Sequence, residues 1–408
     1  INHLMDILKK AKNYINEPIA LSPYSLIDFS SIKLFTYQPC LLYNPFMVKN
    51  VYIHIPFCKS KCKYCSFISY PKIELKEQYI NALIKEIQTK YNGELLNTLY
   101  FGGGTPSILT IDEFSKIINL FNINKSTEIT SELNPETITS EYLKGLKKCG
   151  INRLSFGCQT FDDKILKLIG RRHSSNDVKN AVKLAQNTDF ENISLDFIYG
   201  LPQQTIDGFE NDLKTAISLN IQHISLYGLK IDENCYFYKN PPQNLPDEDT
   251  QADMYIKAIE TMTNNDFLHY EISNFAKDNF QSRHNLNYWD NNTYYGFGVS
   301  AHGYENGARY FNPTTLGEYI NNPTIHKSSH KLSKQEQLEE EIFLGFRKMS
   351  GINVENINKK FNIDFRKKYT TTIDKYLSYK YLKETNVGFA LTDSVILISN
   401  VILAEFLN

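Results

Sequence analysis

Three cysteines lie close together in the segment Cys58-x3-Cys62-x2-Cys65. A structural zinc site needs four protein ligands, usually supplied as two pairs, and no fourth cysteine is an obvious partner here. The position where the run could have continued is occupied by Phe67. Three thiolates can instead hold a [4Fe–4S] cluster and leave one iron open for a small molecule. The spacing therefore favours a three-cysteine iron–sulfur cluster over a zinc site.

The cysteine segment follows the first of several β-rich runs that alternate with helical patterns. In one such pattern, Tyr79, Leu83, Ile87 and Tyr91 recur on a single helix face. Strands that alternate with helices predict a parallel sheet, and six such units indicate an α/β fold built as a partial or complete β/α barrel. The six strand-like runs begin at Val51, Asn97, Thr127, Ile151, Asn192 and His223.

Polar or glycine-rich residues follow the predicted strands at their carboxyl ends. In a β/α barrel these ends meet on one face, where binding and catalytic sites form. Because loops are polar in most proteins, the clustering alone leaves an ordinary solvent-facing role open for each residue. The groups concerned are the cysteine loop, the glycine run 102–104, Glu132 with Asn134, Gln159, Asp196 and the stretch 227–230.

Composition narrows the class of protein. The 408 residues are 42% hydrophobic and carry a formal net charge of −1, so no basic surface for nucleic acid is expected. Neither a polybasic block nor a bilayer-length apolar run is present, so any membrane association is expected to be peripheral at most. The seven cysteines are odd in number and partly clustered, which argues against a disulfide framework. We expect a reducing compartment, the cytoplasm.

The sequence changes character along the chain, and we expect four parts. Residues 47–275 form the β/α core, residues 276–331 complete the barrel region, and residues 332–408 form a small, mainly helical domain. The last part is expected to include a short hairpin around Gly388. Residues 1–46 are either an extension upstream of Met47 or a segment that packs over the barrel.

Several motifs together resemble a known family. The cysteine segment CKSKCKYC, after one strand, and FGGGTP, after the next, resemble the radical S-adenosylmethionine (SAM) superfamily. The further segments YIHIPFC, NPET, RLSFGCQTF, LDFIYGLPQQT and HNLNYW are similar to the anaerobic coproporphyrinogen III oxidase family, and within it to the HemW-like heme-chaperone branch. The resemblance runs from about Val48 to the C-terminus and implies a radical SAM β/α barrel.

The resemblance assigns ligands to two groups. Cys58, Cys62 and Cys65 would bind a [4Fe–4S] cluster, whose open iron the amino and carboxylate groups of SAM would chelate. The glycine run would contact the amino-acid end of SAM. Judged by residue type alone, most of the polar positions in this set would be ordinary structural or surface residues. The positions that the resemblance places in the SAM pocket are Tyr52, Tyr64, Gly103, Gly104, Thr105, Glu132, Gln159, Arg171 and Asp196.

Two functions compete within this family. A radical enzyme would decarboxylate coproporphyrinogen III to protoporphyrinogen, using a reductant for the cluster. A heme chaperone would keep the cluster and SAM but pass heme to an acceptor protein. The oxidase motif continues with a fourth cysteine where this chain has Phe67, which favours the chaperone.

The segment RHNLNYW supplies the predicted heme site. His284 offers an imidazole to heme iron, and Tyr288 and Trp289 offer flat apolar surfaces to the porphyrin. Core packing is the alternative for all three. His302 is a second candidate imidazole, ranked below His284, and Arg283 and Arg309 are candidates to pair with heme propionates.

Overall fold

The computed structural model describes residues 49–407, and a nine-stranded sheet forms its centre. The strand order is β7-β8-β6-β5-β4-β3-β2-β1-β9. The strands are β1 Asn50–Ile55, β2 Thr98–Gly103, β3 Glu128–Leu133, β4 Arg153–Gln159, β5 Ile193–Tyr199, β6 His223–Gly228, β7 Leu268–Glu271, β8 Asn274–Ala276 and β9 Tyr295–Phe297.

Strands β1 to β6 are parallel and lie side by side in the order of the chain. Every crossover therefore leads to the adjacent strand, as in a β/α barrel and unlike a doubly wound sheet. All six residues of β1 are buried, which is typical of a parallel strand covered on both faces. The predicted α/β class and partial barrel of parallel strands are confirmed.

The sheet is extended at both edges by strands from later in the chain. Strand β9 pairs in parallel with β1, with Ile53 opposite Phe297. At the other edge β8 runs antiparallel to β6 and is followed by β7. The central sheet is therefore complete only when residues up to 297 are in place.

The helices lie between the strands and after them, and their starts carry recognisable caps. The Thr110 side chain accepts a hydrogen bond from the backbone N–H of Glu113, whose carboxylate accepts one from the Thr110 N–H in return. Ser174 and Asp177 form the same reciprocal cap. The helices of the barrel region are α1 Lys76–Lys90, α2 Ile111–Ile118, α3 Ser140–Lys148, α4 Asp163–Leu168, α5 Ser175–Asn187, α6 Ile206–Ser218, α7 Tyr236–Lys239, α8 Glu248–Thr263, α9 Arg283–Trp289 and α10 Leu316–Asn321.

Two small antiparallel sheets and a second hydrophobic core follow the barrel. The second core is built mainly from residues 338–406, and Trp289 joins it from α9. The predicted hairpin around Gly388 is present as β14 and β15. The remaining elements are β10 His302–Glu305, β11 Ala308–Phe311, β12 Ser328–Lys331, α11 Lys334–Gly345, β13 Ile352–Asn353, α12 Val354–Phe361, α13 Phe365–Lys368, α14 Thr370–Ser378, β14 Leu382–Thr385, β15 Gly388–Leu391 and α15 Ser399–Ala404.

The expectations for residues 1–46 lie outside the described residues. Within residues 49–407, no helix is both long and apolar enough to cross a membrane.

Candidate functional site

The cysteine loop leaves the carboxyl end of β1 and is fastened by backbone hydrogen bonds. The Cys58 N–H donates to the Tyr70 carbonyl at 3.2 Å, and the Tyr70 N–H donates to the Pro56 carbonyl at 2.7 Å. In the middle of the loop, the Lys63 N–H donates to the carbonyl of Ile169 at 3.0 Å. These bonds fix both the base and the tip of the loop, so its thiols are held at the strand ends.

The three thiols lie in a partly buried environment, and the guanidinium of Arg171 lies beside them. The Cys58 Sγ lies 3.3 Å from the Thr105 Oγ1, and the Arg171 Nη1 donates to the Cys62 Sγ at 3.7 Å. Burial raises the pKa of the Cys58 thiol, and it raises the pKa of Cys65 to about 12. Iron binds the thiolate form. The positive charge of Arg171 opposes the effect of burial on the pKa of the Cys58 thiol.

This set of donors fits an iron–sulfur cluster. The thiols of Cys58, Cys62 and Cys65 all line one cavity. Among residues 49–407, no three His, Cys, Asp or Glu side chains converge as the ligands of a single metal ion would. A four-iron cluster takes each cysteine at a different iron and does not need such convergence.

The glycine run at the end of β2 packs directly against the cysteine loop. Gly103 has φ +110°, and a Cβ there would lie 2.6 Å from the Cε1 of His54. A Cβ on Gly104 would lie 2.7 Å from the carbonyl oxygen of Phe57. Glycine is therefore required at both positions to bring two strand ends together, whether or not a ligand is bound.

Two carboxylates project into the cavity from neighbouring parts of the sheet. Glu132, on β3, accepts hydrogen bonds from the Tyr100 hydroxyl at 3.0 Å and from the Gly103 N–H at 3.2 Å. Asp196, on β5, accepts from the Ser155 hydroxyl at 3.0 Å. Burial raises the pKa of Asp196. Both groups are acceptors, which suits an ammonium or ribose hydroxyls.

Arg171 connects the cysteine loop with two other strand ends. Its Nη2 donates to the Gly157 carbonyl at 2.8 Å and to the Asn134 Oδ1 at 3.0 Å. Gln159 lies nearby at a β-bulge, with φ +68°. The bulge ends the regular pairing of β4 with β5 and directs the Gln159 side chain toward the cavity.

The cavity has a volume of about 720 Å³, which is within the range of ligand pockets in proteins. It extends from the cysteine loop to the C-terminal unit, the part of the chain built around the second hydrophobic core (residues 338–406), where Arg347, Ser399 and Asn400 line the cavity. The SAM-pocket and heme residues predicted from sequence that line this cavity are Tyr52, Tyr64, Gly103, Gly104, Thr105, Glu132, Gln159, Arg171, Asp196 and Tyr288.

His284 and Trp289 do not line this cavity. The His284 side chain is fully buried, and its two ring nitrogens bond the Thr98 hydroxyl at 2.7 Å and the Tyr288 hydroxyl at 2.9 Å. Trp289 packs into the second hydrophobic core. Tyr288 connects the two regions, because it bonds His284 and also reaches the cavity.

The cavity also contains one further imidazole that the sequence offered and two residues that it did not indicate. His302, the lower-ranked imidazole, lines the cavity, and burial lowers its pKa to about 4. Arg347 and Asn400 were not predicted at all. They come from the C-terminal unit, whose sequence by itself indicates no chemistry, and the packing of that unit against the barrel brings them here.

Comparison with known proteins agrees with this arrangement. The Radical SAM superfamily profile matches residues 52–216, and the HemN C-terminal domain profile matches residues 332–398. The structure resembles that of coproporphyrinogen III oxidase (HemN) from Escherichia coli, with a TM-score of 0.79 and 21% identity over 89% of this chain and 91% of that one. At that identity the likeness shows the fold alone.

Curated relatives are more similar in sequence. The chain is 36% identical to heme chaperone HemW from Lactococcus lactis over 88% of its own length and 97% of the relative. It is also 36% identical to heme chaperone HemW from Bacillus subtilis, over 88% of its own length and 99% of the relative. The radical SAM match implies a [4Fe–4S] cluster and SAM. The chain belongs to the HemW family of the radical SAM superfamily.

Proposed function

We propose that this protein is a cytoplasmic heme chaperone, which binds heme and a SAM-coordinated [4Fe–4S] cluster and transfers heme to an acceptor protein. The observation that carries the proposal is its similarity, over nearly their full length, to relatives named heme chaperone HemW. Phe67, in place of the further cysteine of the oxidase motif, supports the same conclusion. A reductant would serve the cluster, and no nucleic acid takes part.

In this proposal the chain's own residues divide the work around the cluster. Cys58, Cys62 and Cys65 would bind the cluster, which supplies one-electron chemistry toward SAM when it is bound. Arg171 stabilises negative charge on the Cys62 sulfur, which its Nη1 contacts at 3.7 Å. Glu132 would accept hydrogen bonds from the ammonium or ribose of SAM.

The walls of the cavity suit a flat, mostly apolar cargo. Several tyrosines line it, and the rings of Tyr52 and Tyr100 stack with centroids 6.1 Å apart. Large aromatic faces of this kind contribute strongly to the burial of a porphyrin. Heme also needs an axial ligand, for which a neutral imidazole is the common choice.

Two imidazoles are candidates for that ligand. Ligation by His284, predicted from the sequence, requires that it release its bond to Thr98 or to Tyr288. His302 faces the cavity and is held neutral by burial, so it can bind iron without breaking these bonds. If His302 is the ligand, His284 contributes indirectly, because its hydrogen bond orients the Tyr288 side chain.

Heme titration tests the proposal and separates the two imidazoles. Wild-type protein should shift the Soret band of added heme. Loss of the shift in His302→Ala but not in His284→Ala assigns the ligand to His302, and the reverse result assigns it to His284. His330→Ala, at a largely exposed histidine paired with Glu336, is the matched control. No Soret shift with wild-type protein would refute the proposal.

The cluster assignment has its own control. Anaerobic reconstitution should give an iron–sulfur absorption spectrum that Cys58→Ala loses. Cys149→Ala should keep the spectrum, because that thiol lies at the end of α3 and bonds the Ile111 carbonyl at 3.6 Å. An unchanged spectrum in Cys58→Ala would contradict the assignment.

The alternative function is the oxygen-independent oxidation of coproporphyrinogen III, which would make the chain an enzyme. The fold that this protein shares with HemN is the observation that supports this alternative. Incubation of reconstituted protein with coproporphyrinogen III, SAM and a reductant decides between the two. Multiple turnovers to protoporphyrinogen would overturn the chaperone proposal.

A further inference from the structure

One buried arginine at the cavity has no carboxylate partner among the described residues. Arg347 is 1% exposed and lines the cavity from the C-terminal unit. Its Nη1 donates to the Ser399 hydroxyl at 3.0 Å and its Nη2 to the Asn400 Oδ1 at 2.5 Å. The guanidinium lies over the Phe343 ring, 4.1 Å from the centroid. All these partners are neutral.

The Nε of Arg347 has no hydrogen-bond partner within the described chain. Burial alone lowers the pKa of this guanidinium to about 9, and no charged neighbour contributes. The buried carboxylate of Glu271, on β7, is engaged by the Ser273 N–H at 2.9 Å and by the Asn274 amide. Arg347 is therefore a buried cation that the protein itself does not neutralise.

The two arginines that the sequence offered for heme propionates each have a carboxylate partner. Arg309, expected from sequence to be free for a propionate, pairs with Glu340 at 2.8 Å. Arg283, the other such candidate, lies 3.8 Å from the carboxylate of Glu128. Buried charges in proteins are normally paired, because an isolated one is costly to remove from water. An unpaired guanidinium on a cavity wall therefore indicates an anion in the cavity.

We propose that Arg347 binds a carboxylate of the molecule that fills the cavity, and that this carboxylate is a propionate of heme. The inference rests on the proposed function, which provides heme as the cargo. The planar guanidinium is suited to a carboxylate because its N–H groups match the two oxygens. Arg347 thereby assigns the propionate edge of the porphyrin to the C-terminal unit, which places the opposite edge toward the cysteine loop.

SAM also carries a carboxylate, so the experiment must distinguish the two sources. Heme and its dimethyl ester, whose propionates are uncharged, are titrated into cluster-loaded wild-type and Arg347→Met proteins, and SAM binding is measured on the same samples. A charge-assisted hydrogen bond contributes ~1.5–3 kcal/mol, which corresponds to a loss of roughly 10- to 100-fold in affinity.

We expect Arg347→Met to lower the affinity for heme by that factor and to leave the affinities for the dimethyl ester and for SAM unchanged. Arg347→Lys, which keeps the charge, should restore part of the loss. Arg366→Met, which removes an arginine that is paired with Asp374 and is not among the residues lining the cavity, is the matched control and should not alter the ratio of heme to ester affinity.

An equal loss of affinity for heme and for its dimethyl ester, or no loss for either, would overturn the inference while leaving the heme-chaperone proposal intact. A loss of affinity for SAM alone would show that Arg347 binds the carboxylate of SAM, and this result would also overturn the inference. Failure of wild-type protein to bind heme at all would instead refute the proposed function.

Discussion

Arg347→Met should make the heme-free protein more stable, although it removes hydrogen bonds. At 1.36 kcal/mol for each pH unit, the difference between the ordinary pKa of an arginine and a value of about 9 corresponds to ~5 kcal/mol of unfavourable burial. Against this, the two hydrogen bonds to the neutral partners Ser399 and Asn400 contribute ~3 kcal/mol together, at ~1.5 kcal/mol each, the lower end of the range for a charged donor. The contact with the Phe343 ring contributes ~1 kcal/mol. The balance favours the methionine variant by ~1 kcal/mol.

Thermal unfolding of cluster-loaded protein without heme measures this balance. For a chain of 408 residues, a gain of ~1 kcal/mol raises the unfolding midpoint by only about 1 °C. Addition of heme should reverse the order, because heme raises the midpoint of the wild type more than that of the variant. A residue with only a structural role would not give this reversal.

Arg309→Met serves as the comparison, because it leaves the buried Glu340 carboxylate without its cation. Removal of one partner of a buried pair costs ~3–5 kcal/mol, so this variant should unfold at a clearly lower temperature. If Arg347→Met is destabilised to the same degree, Arg347 is a structural residue and the reasoning is refuted.

Three further outcomes are expected. Glu86 is fully buried and accepts hydrogen bonds on both carboxylate oxygens, so Glu86→Gln should lower the free energy of unfolding in urea by ~2–4 kcal/mol; a loss below ~0.5 kcal/mol would contradict this. Burial raises the pKa of Asp212 to about 6. The folded state therefore holds this proton more tightly than the unfolded chain, and stability from this group is full below about pH 4 and lost as the pH rises through about 6. As the pH rises from 4 to 6, Asp212→Asn should thus gain stability relative to wild type. The same pH dependence of the free energy of unfolding in both proteins, measured by urea titration, would exclude the effect. Gly103→Ala places a Cβ against the His54 ring at φ +110° and should lower the unfolding temperature and weaken SAM binding. Gly317→Ala, within α10 and with open space around the added Cβ, should leave SAM binding unchanged and should not lower the unfolding temperature.

The fold and the cluster loop were predictable because their signals are local. Each strand run is short and apolar, and each ligand-type residue follows its own strand, so the parallel topology alone gathers them on one face. The glycine run was predicted to contact the amino-acid end of SAM, and the structure adds that a Cβ at Gly103 or Gly104 would meet atoms of His54 or Phe57. A run of glycines indicates that a Cβ is excluded at these positions, but it does not reveal which atoms exclude it.

The rest of the candidate site could not be predicted, because it depends on contacts between distant parts of the chain. Sequence shows that His284 is a potential ligand, but only the structure shows that Thr98 and Tyr288 occupy both of its ring nitrogens. Arg347 could not be singled out from the sequence, for a different reason. Its importance lies in the carboxylate that is missing beside it, and a missing partner leaves no trace in the neighbouring sequence.

The pairing of β9 with β1 has a consequence for biosynthesis. Strand β1 carries the cysteine loop, yet the strand that covers its outer edge begins at Tyr295. At 5–20 residues per second, the ribosome needs roughly 10–50 s to synthesise the intervening chain. During that time the edge of β1 remains open to pairing with other nascent chains. The cysteine loop is therefore the first part of the site to emerge and among the last to be enclosed, which leaves a period for cluster insertion before the barrel is complete.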